Sequence, residues 1–421
     1  MTPQLAAKDR AMLAGDEGPA ASVAMEIVLH SARMTGATAL LDISNAHIDG
    51  CLYHGMASIE FAELLSAGGG TVRVPTTLNV SSLDLLHPDL YRGDDQTRSE
   101  ARRLMDVYVD LGCEPTWTCA PYQLPSRPGF GEHIAWAESN AVVFANSVLG
   151  ARTGRYGDFF DIAAAITGRV PAAGLHLDEN RAGTTVVDVG RLPPTLLETD
   201  AFYPVLGHLL GKNVSGIPAL VGIPPSVTED RLKAVGAAAA SSGDLAMFHV
   251  VAVTPEAPTL ESALGGRGSR KELLVTAEMV TTARKELSTT GDDSLGAVSL
   301  GTPHYSATEL RRLVDILDGR RISDRIDCFV STSRDTLGEI EADRLDIHLS
   351  DAGIELVVDT CTYVTPILRD VDGAVMTDSA KWAYYAPGNL GVDVVFGSVE
   401  DCVESAVAGE IRRDEGIWRY G

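Results

Sequence analysis

The chain has only six lysines, at 8, 212, 233, 271, 285 and 381, and its 58 acidic side chains outnumber the 34 lysines and arginines. A formal net charge of −24 excludes a general nucleic-acid surface, because gripping phosphates requires a basic field. No apolar run approaches the roughly 18–20 residues that span a bilayer, and the start lacks a basic-then-apolar leader pattern. A cytoplasmic protein is expected, with neither membrane nor nucleic acid among its partners. The six cysteines, at 51, 113, 119, 328, 361 and 402, contain no C-x-x-C pair, which argues against a disulfide framework and a zinc knuckle. No G-x-x-x-x-G-K-[ST] or G-x-G-x-x-G follows a strand pattern, so the Gly68–Gly70 run marks the end of a helix and not a phosphate loop.

With 421 residues and a hydrophobic fraction of 45%, the chain is long enough for more than one core. Its periodicity predicts helices over 3–14, 19–34, 99–111, 136–152, 158–168, 202–210 and 228–240. Strands are expected over 37–44, 71–75, 184–189 and 217–223. A glycine- and serine-rich patch at 239–243 suggests a boundary, giving an N-terminal α/β domain (1–240) and a C-terminal domain (241–421). In the second half strands at 245–253, 297–300, 327–330, 354–358, 373–376 and 392–396 alternate with helices at 258–265, 270–287, 307–318 and 335–348. Such alternation predicts a doubly wound parallel sheet whose site lies at the carboxyl ends of its strands.

Polar residues gather where those ends should be. Asn45–Gly50 and Thr76–Asn79 follow strands in the first half; Gly301–His304, Ser331–Arg334 and Asp359–Cys361 do so in the second. Arg152, Arg334 and Lys381 suit a carboxylate or phosphate, arginine because its planar fork holds two oxygens at once. Thr77, Asn79, Ser139, Asn140, Asn146, Ser333 and Ser379 are candidates for substrate hydroxyls and carboxylates. Glu138, His176 and His304 can carry protons. A Glu138–Arg152 ion pair and loop-bound histidines remain equally open from spacing alone.

Seven stretches together resemble the large catalytic part of the aconitase X proteins. They are His47–Gly50, Thr118–Tyr122, Glu138–Ser147, Gly174–Arg181, Ser333–Arg334, Asp359–Cys361 and Ser379–Lys381, spread from near the start to near the end. The resemblance implies an aconitase-like fold of α/β domains around a cleft, with a small swivelling domain supplied as a separate subunit. It implies dehydration of a small hydroxy acid, such as cis-3-hydroxy-L-proline or mevalonate 5-phosphate. It makes His47, Asp49, Glu138, His176 and Lys381 the catalytic candidates. An iron or iron–sulfur centre held by three cysteines is also implied. Cys119 and Cys361 fill two of those positions, and Thr302 stands where the third thiol is expected. His304 or Cys51 is then a substitute ligand. A metal-free isomerase or cyclase and an inactive scaffold are the alternatives that this departure leaves open.

Overall fold

The computed structural model describes residues 3–268, 271–291, 293–369 and 371–418. It divides into two compact units, Met1–Leu83 with Asp94–Ala182, and Asp84–Gly93 with Gly183–Gly421. In the first unit, helix Pro19–Met34 opens with proline at its first turn and buries Ala20, Ala21, Ala24, Met25, Val28, Leu29 and Ala32. That spacing lays one small-residue stripe along the helix. It packs on helix Phe160–Thr167, all eight of whose residues are buried.

Around these helices lie five very short strands: β1 (Leu40–Asp42), β2 (Ala46–Ile48), β3 (Thr76–Leu78), β4 (Ala135–Trp136) and β5 (Arg169–Pro171). β3, β2 and β4 form a parallel sheet in that order, and β1 pairs antiparallel with β5. Two expectations are corrected here. The strand expected over 71–75 begins only at Thr76, after Pro75, which has no N–H to give the ladder. The helix expected over 136–152 is instead β4, a short helix Ser139–Phe144 and a π-turn Ala145–Leu149 closed by Gly150.

The second unit carries two parallel sheets. β6 (Thr185–Asp188), β7 (Pro218–Val221), β8 (His249–Val250) and β9 (Lys271–Leu274) are ordered β8-β7-β6-β9. β9 corrects the expected helix over 270–287: from 271 the alternation of charge and leucine resembles a helix, yet Thr276 caps a helix that starts at Ala277. The expected domain boundary at 240/241 falls inside this unit. The glycine- and serine-rich patch is a close helix contact, since a Cβ on Gly243 would lie 2.3 Å from the Gly211 carbonyl oxygen. Helices Phe202–Asn213 and Glu229–Ser242 therefore pack nearly backbone to backbone.

The last sheet contains β10 (Leu295–Tyr305), β11 (Asp327–Thr332), β12 (Glu355–Val357), β13 (Ala374–Thr377) and β14 (Val394–Phe396). Its order is β12-β11-β10-β13-β14, every pairing parallel. This is the doubly wound sheet expected from the alternation. Helix Ala307–Leu317 buries Ala307, Leu310, Leu313 and Leu317, and a reciprocal Ser306–Glu309 capping box starts it. Among the described residues no helix is long and apolar enough to cross a membrane.

Candidate active site

In the first unit the carboxyl ends of β2, β3 and β4 bring seven of the expected residues into one polar cluster. His47, the middle residue of β2, is buried, and its Nδ1 lies 2.8 Å from Thr77 Oγ1 on β3. Its Nε2 is buried with no hydrogen-bond partner among the described residues. Burial, only partly offset by the nearby Glu138 carboxylate, lowers the imidazole to about 4 and keeps the ring neutral at physiological pH. Asn79 Nδ2 donates to Asp49 Oδ1, and the Asp49 and Gly50 amides donate to Asp161 Oδ2 at 2.7 and 3.1 Å.

Asp49 carries the largest departure in the cluster. Burial, then repulsion from Glu138, Asp158 and Asp161, raises its carboxyl to about 8. The proton therefore stays on at neutral pH, which is the state needed to donate it. Asp161 is raised to about 6 by burial, opposed by its backbone donors. Glu138 caps helix Ser139–Phe144, accepting from the Ala141 amide at 2.7 Å and from Asn140 Nδ2. Ser139 Oγ donates to it at 3.3 Å. Asn140 also takes the Tyr122 hydroxyl at 2.6 Å and donates to the Cys119 carbonyl at 3.0 Å, tying the Cys119 loop to the same cluster.

Three other candidates of this unit lie in a different group. Asn146 Nδ2 donates to the Thr153 carbonyl and its Oδ1 accepts from the Thr153 amide and Arg181, so its amide bridges the π-turn. Arg152 pairs with Asp178 and donates to the His176 carbonyl at 3.2 Å; its carboxylate partner is not Glu138. His176 stands between the Tyr156 hydroxyl, 2.5 Å from Nε2, and His133, with their Nδ1 atoms 3.0 Å apart. Burial, then the nearby His133 and arginines, lowers His176 to about 3.

In the second unit the polar loops follow the strands as expected. Between the ladder pairs Leu300–Val330 and Tyr305–Thr332, β10 spends four residues where β11 spends one. This bulge is Gly301-Thr302-Pro303-His304. Only glycine fits its first position: φ is +82°, and a Cβ there would lie 2.2 Å from the Ser331 carbonyl oxygen. Thr302 Oγ1 is buried with no hydrogen-bond partner among the described residues, while the Thr302 carbonyl accepts from Ser379 Oγ. His304 Nε2 donates to the Thr360 carbonyl at 3.1 Å, which puts the ring's other nitrogen, Nδ1, in the lone-pair role when the ring is neutral.

Ser333 and Ser379 each cap the helix that follows, accepting from the Thr336 and Trp382 amides at 3.1 Å. Lys381 sits buried in the first turn after Ser379. The Arg334 fork lies on Asp359, 2.6 and 2.7 Å from its two oxygens. Asp359 and Cys361 are fully buried.

Sequence reasoning missed Asp161, Tyr156 and His133, and it gave Tyr122 and Arg181 no role beyond their place in the family-like stretches. A lone aspartate in the apolar run Phe160–Thr167 was the one available signal, since an unpaired charge has no reason to sit there.

A carboxyl kept protonated, a neutral imidazole and polar loops at strand ends make an acid–base site suited to moving a proton and a hydroxyl on a small polar substrate. The family models agree. Residues 2–179 match the aconitase X first domain, 183–285 the second and 295–408 the third. The chain belongs to the aconitase X family.

Its relatives narrow the class further. It is 45% identical to the cis-3-hydroxy-L-proline dehydratase of Pseudomonas aeruginosa, over 97% of this chain and 70% of that protein. The Hypocrea jecorina protein of that name is 43% identical, over 96% and 69%. The phosphomevalonate dehydratase large subunit of Methanothermobacter thermautotrophicus is 38% identical, over 91% and 94%. The holo-form crystal structure of Thermococcus kodakaraensis aconitase X superposes with a TM-score of 0.85 at 33% identity, covering 96% of this chain and 100% of that one. The chain is a dehydratase of this family, a hydro-lyase.

Proposed function

We propose that the chain is the large component of a cytoplasmic dehydratase that removes water from cis-3-hydroxy-L-proline or a close analogue. The observation that carries the substrate is identity: 45% and 43% to the two hydroxyproline dehydratases, against 38% or less to the phosphomevalonate enzymes. Mevalonate 5-phosphate is the second reading. It is favoured by the five phosphomevalonate dehydratase large subunits among the relatives, 31% to 38% identical to this chain. A small swivelling subunit is the proposed partner, because the phosphomevalonate dehydratase relatives are named as large subunits.

In the reaction a proton leaves the carbon beside the carboxylate, hydroxide leaves the neighbouring carbon, and a carbon–carbon double bond forms between them. Asp49, protonated at neutral pH, is assigned as the acid that turns the leaving hydroxide into water. Asn79 orients that carboxyl, and Glu138 keeps the proton on it through repulsion. His47 and Thr77 supply a neutral hydrogen-bonding edge beside it, with Ser139 and Asn140 for substrate oxygens. From the second unit, Lys381 and Arg334 are assigned to the substrate carboxylate, with Ser333 and Ser379 as hydroxyl partners. Asn146, Arg152 and His176 are assigned a supporting role, because their polar atoms are engaged with one another's loops. Proton abstraction falls to a group of the small subunit.

Cys119 and Cys361 are the thiols assigned to iron, with His304 as third ligand. Two thiols, an imidazole and a nearby hydroxyl at Thr302 suit a single iron ion better than an all-thiolate cluster. Such an ion, held by these residues, would supply Lewis acidity.

The test uses the chain copurified anaerobically with a small subunit, assayed on both substrates, with iron and acid-labile sulfide counted per chain. The expected result is a kcat/KM at least about a hundredfold higher for cis-3-hydroxy-L-proline, near one iron and no sulfide. Preference for mevalonate 5-phosphate would overturn the substrate assignment; stoichiometric sulfide would overturn the ligand set.

A further inference from the structure

Asp49 sits in a turn that a second carboxylate holds in place. Asp161 is the second residue of helix Phe160–Thr167 and is fully buried. Its Oδ1 accepts from the Ile162 amide at 2.7 Å, ordinary work for an acid in a first turn. Its Oδ2 is spent elsewhere, on the Asp49 and Gly50 amides at 2.7 and 3.1 Å, in a distant segment of the chain. Raised only to about 6, the carboxyl is ionised at neutral pH, so both bonds are charge-assisted. One oxygen thus fixes two successive peptide groups, and with them the direction in which the Asp49 side chain leaves the backbone.

The turn has no slack at Gly50. A Cβ there would lie 2.9 Å from the Tyr108 hydroxyl oxygen, 3.6 Å from the Phe159 amide nitrogen and 3.7 Å from Asp161 Oδ1. Glycine is what lets the turn settle against the start of the helix. Tyr108, on helix Asp95–Asp110, is buried, and its hydroxyl has no hydrogen-bond partner among the described residues, so it serves the turn as a wall.

The start of the helix is itself forced into place. Phe159 has φ +73° and ψ −33°, a region that bulky residues seldom enter and that persists only where the surroundings impose it. The Phe61 ring packs on it, with the ring centroids 4.6 Å apart. This bend carries the chain from the exposed Gly157 and Asp158 into a fully buried helix, with Asp161 in its first turn. A helix cap alone needs neither the bend nor two amides from another segment.

We infer that Asp161 is a positioning residue for the dehydration: through the Asp49 and Gly50 amides it fixes the turn and so aims the Asp49 carboxyl. This role rests on the assignment of Asp49 as the acid.

The test measures kcat and KM separately for the chain with a small subunit, on cis-3-hydroxy-L-proline, or on mevalonate 5-phosphate if that is the substrate. Asp161→Ala should lower kcat by about 10–100-fold and leave KM within about threefold of wild type, the loss expected when a group that orients a catalytic side chain is removed. Asp161→Asn, which keeps an oxygen for the two amides, should recover most of that kcat. The decisive arm is a cycle: in an Asp49→Asn background, Asp161→Ala should cost less than about twofold. A merely structural residue would cost the same factor in both backgrounds. Should Asp161→Ala fail to fold, Gly50→Ala, which crowds the same turn, takes its place, with Tyr108→Phe added to restore its kcat. With Asp49→Asn strongly impaired, an unchanged kcat, a rise in KM alone, or equal costs in the two backgrounds would overturn the positioning role by itself. Near-wild-type activity of Asp49→Asn would remove the acid assignment and the positioning role together.

Discussion

The first unit and the last sheet position their polar residues by different means. In the last sheet backbone topology does it: parallel strands end side by side, and four of the five loops turn into a helix whose first turn is capped by the loop's own serine, at Ser306, Ser333, Ser379 and Ser398. In the first unit the strands are two or three residues long. There the side chains position one another, through His47–Thr77, Asn79–Asp49 and the amides on Asp161. A scaffold of ladders tolerates loss of one side chain; a buried polar cluster does not, because each deletion orphans a partner.

The sharpest way to break this comparison is Asp49→Asn. It should lower kcat/KM by about 10²–10⁴ and remove the fall in activity expected of the wild type as pH rises through about 8. Activity within a few-fold of wild type would move the acid role elsewhere. Next in size is Arg334→Ala. Removing the fork leaves Asp359, fully buried, without its counter-charge; with Arg334 about one-third exposed, a cost of about 2 kcal/mol is expected in urea unfolding. Unchanged stability with weakened substrate binding would mean that the guanidinium serves the ligand alone.

A smaller effect separates the units by pH. Asp49 and Asp161 hold their protons in the folded state to about 8 and 6, above the unfolded value of 3.8. Their protonation thus favours folding fully below that value, and the advantage is lost as pH rises through the folded values. The melting temperature should fall between pH 5 and 8, and Asp161→Asn should flatten the lower part of that slope in a scanning-fluorimetry series. Smallest is Ser333→Ala, a lost helix cap expected to cost about 1 kcal/mol by the same unfolding measurement.

How far the sequence was legible follows the same division. The alternation from 297 to 396 led to the parallel sheet and its loops, because strands of useful length and amphipathic helices such as Ala307–Leu317 leave a periodic trace. The first unit leaves little trace. Two-residue β4 has no period, so it merged with the following helix; Asp161 passed unnoticed within an apolar helix, and only the fold sets it under the Asp49 and Gly50 amides. Arg152 and His176 had the right chemistry, but spacing cannot reveal that Asp178, His133 and Tyr156 would claim them. The patch at 239–243 was ambiguous for a related reason: small residues signal close helix contact as readily as a linker.

The bulge in β10 holds slack. Because four residues pass between successive rungs opposite a single residue of β11, the side chain at 302 lies outside the ladder's register, and its exchange costs the sheet nothing. A single codon change there can alter the donor offered by this loop, from sulfur to oxygen or back, while the strand on either side stays in step. The fold thus makes this position one where the donor offered to the site can change without disturbing the ladder.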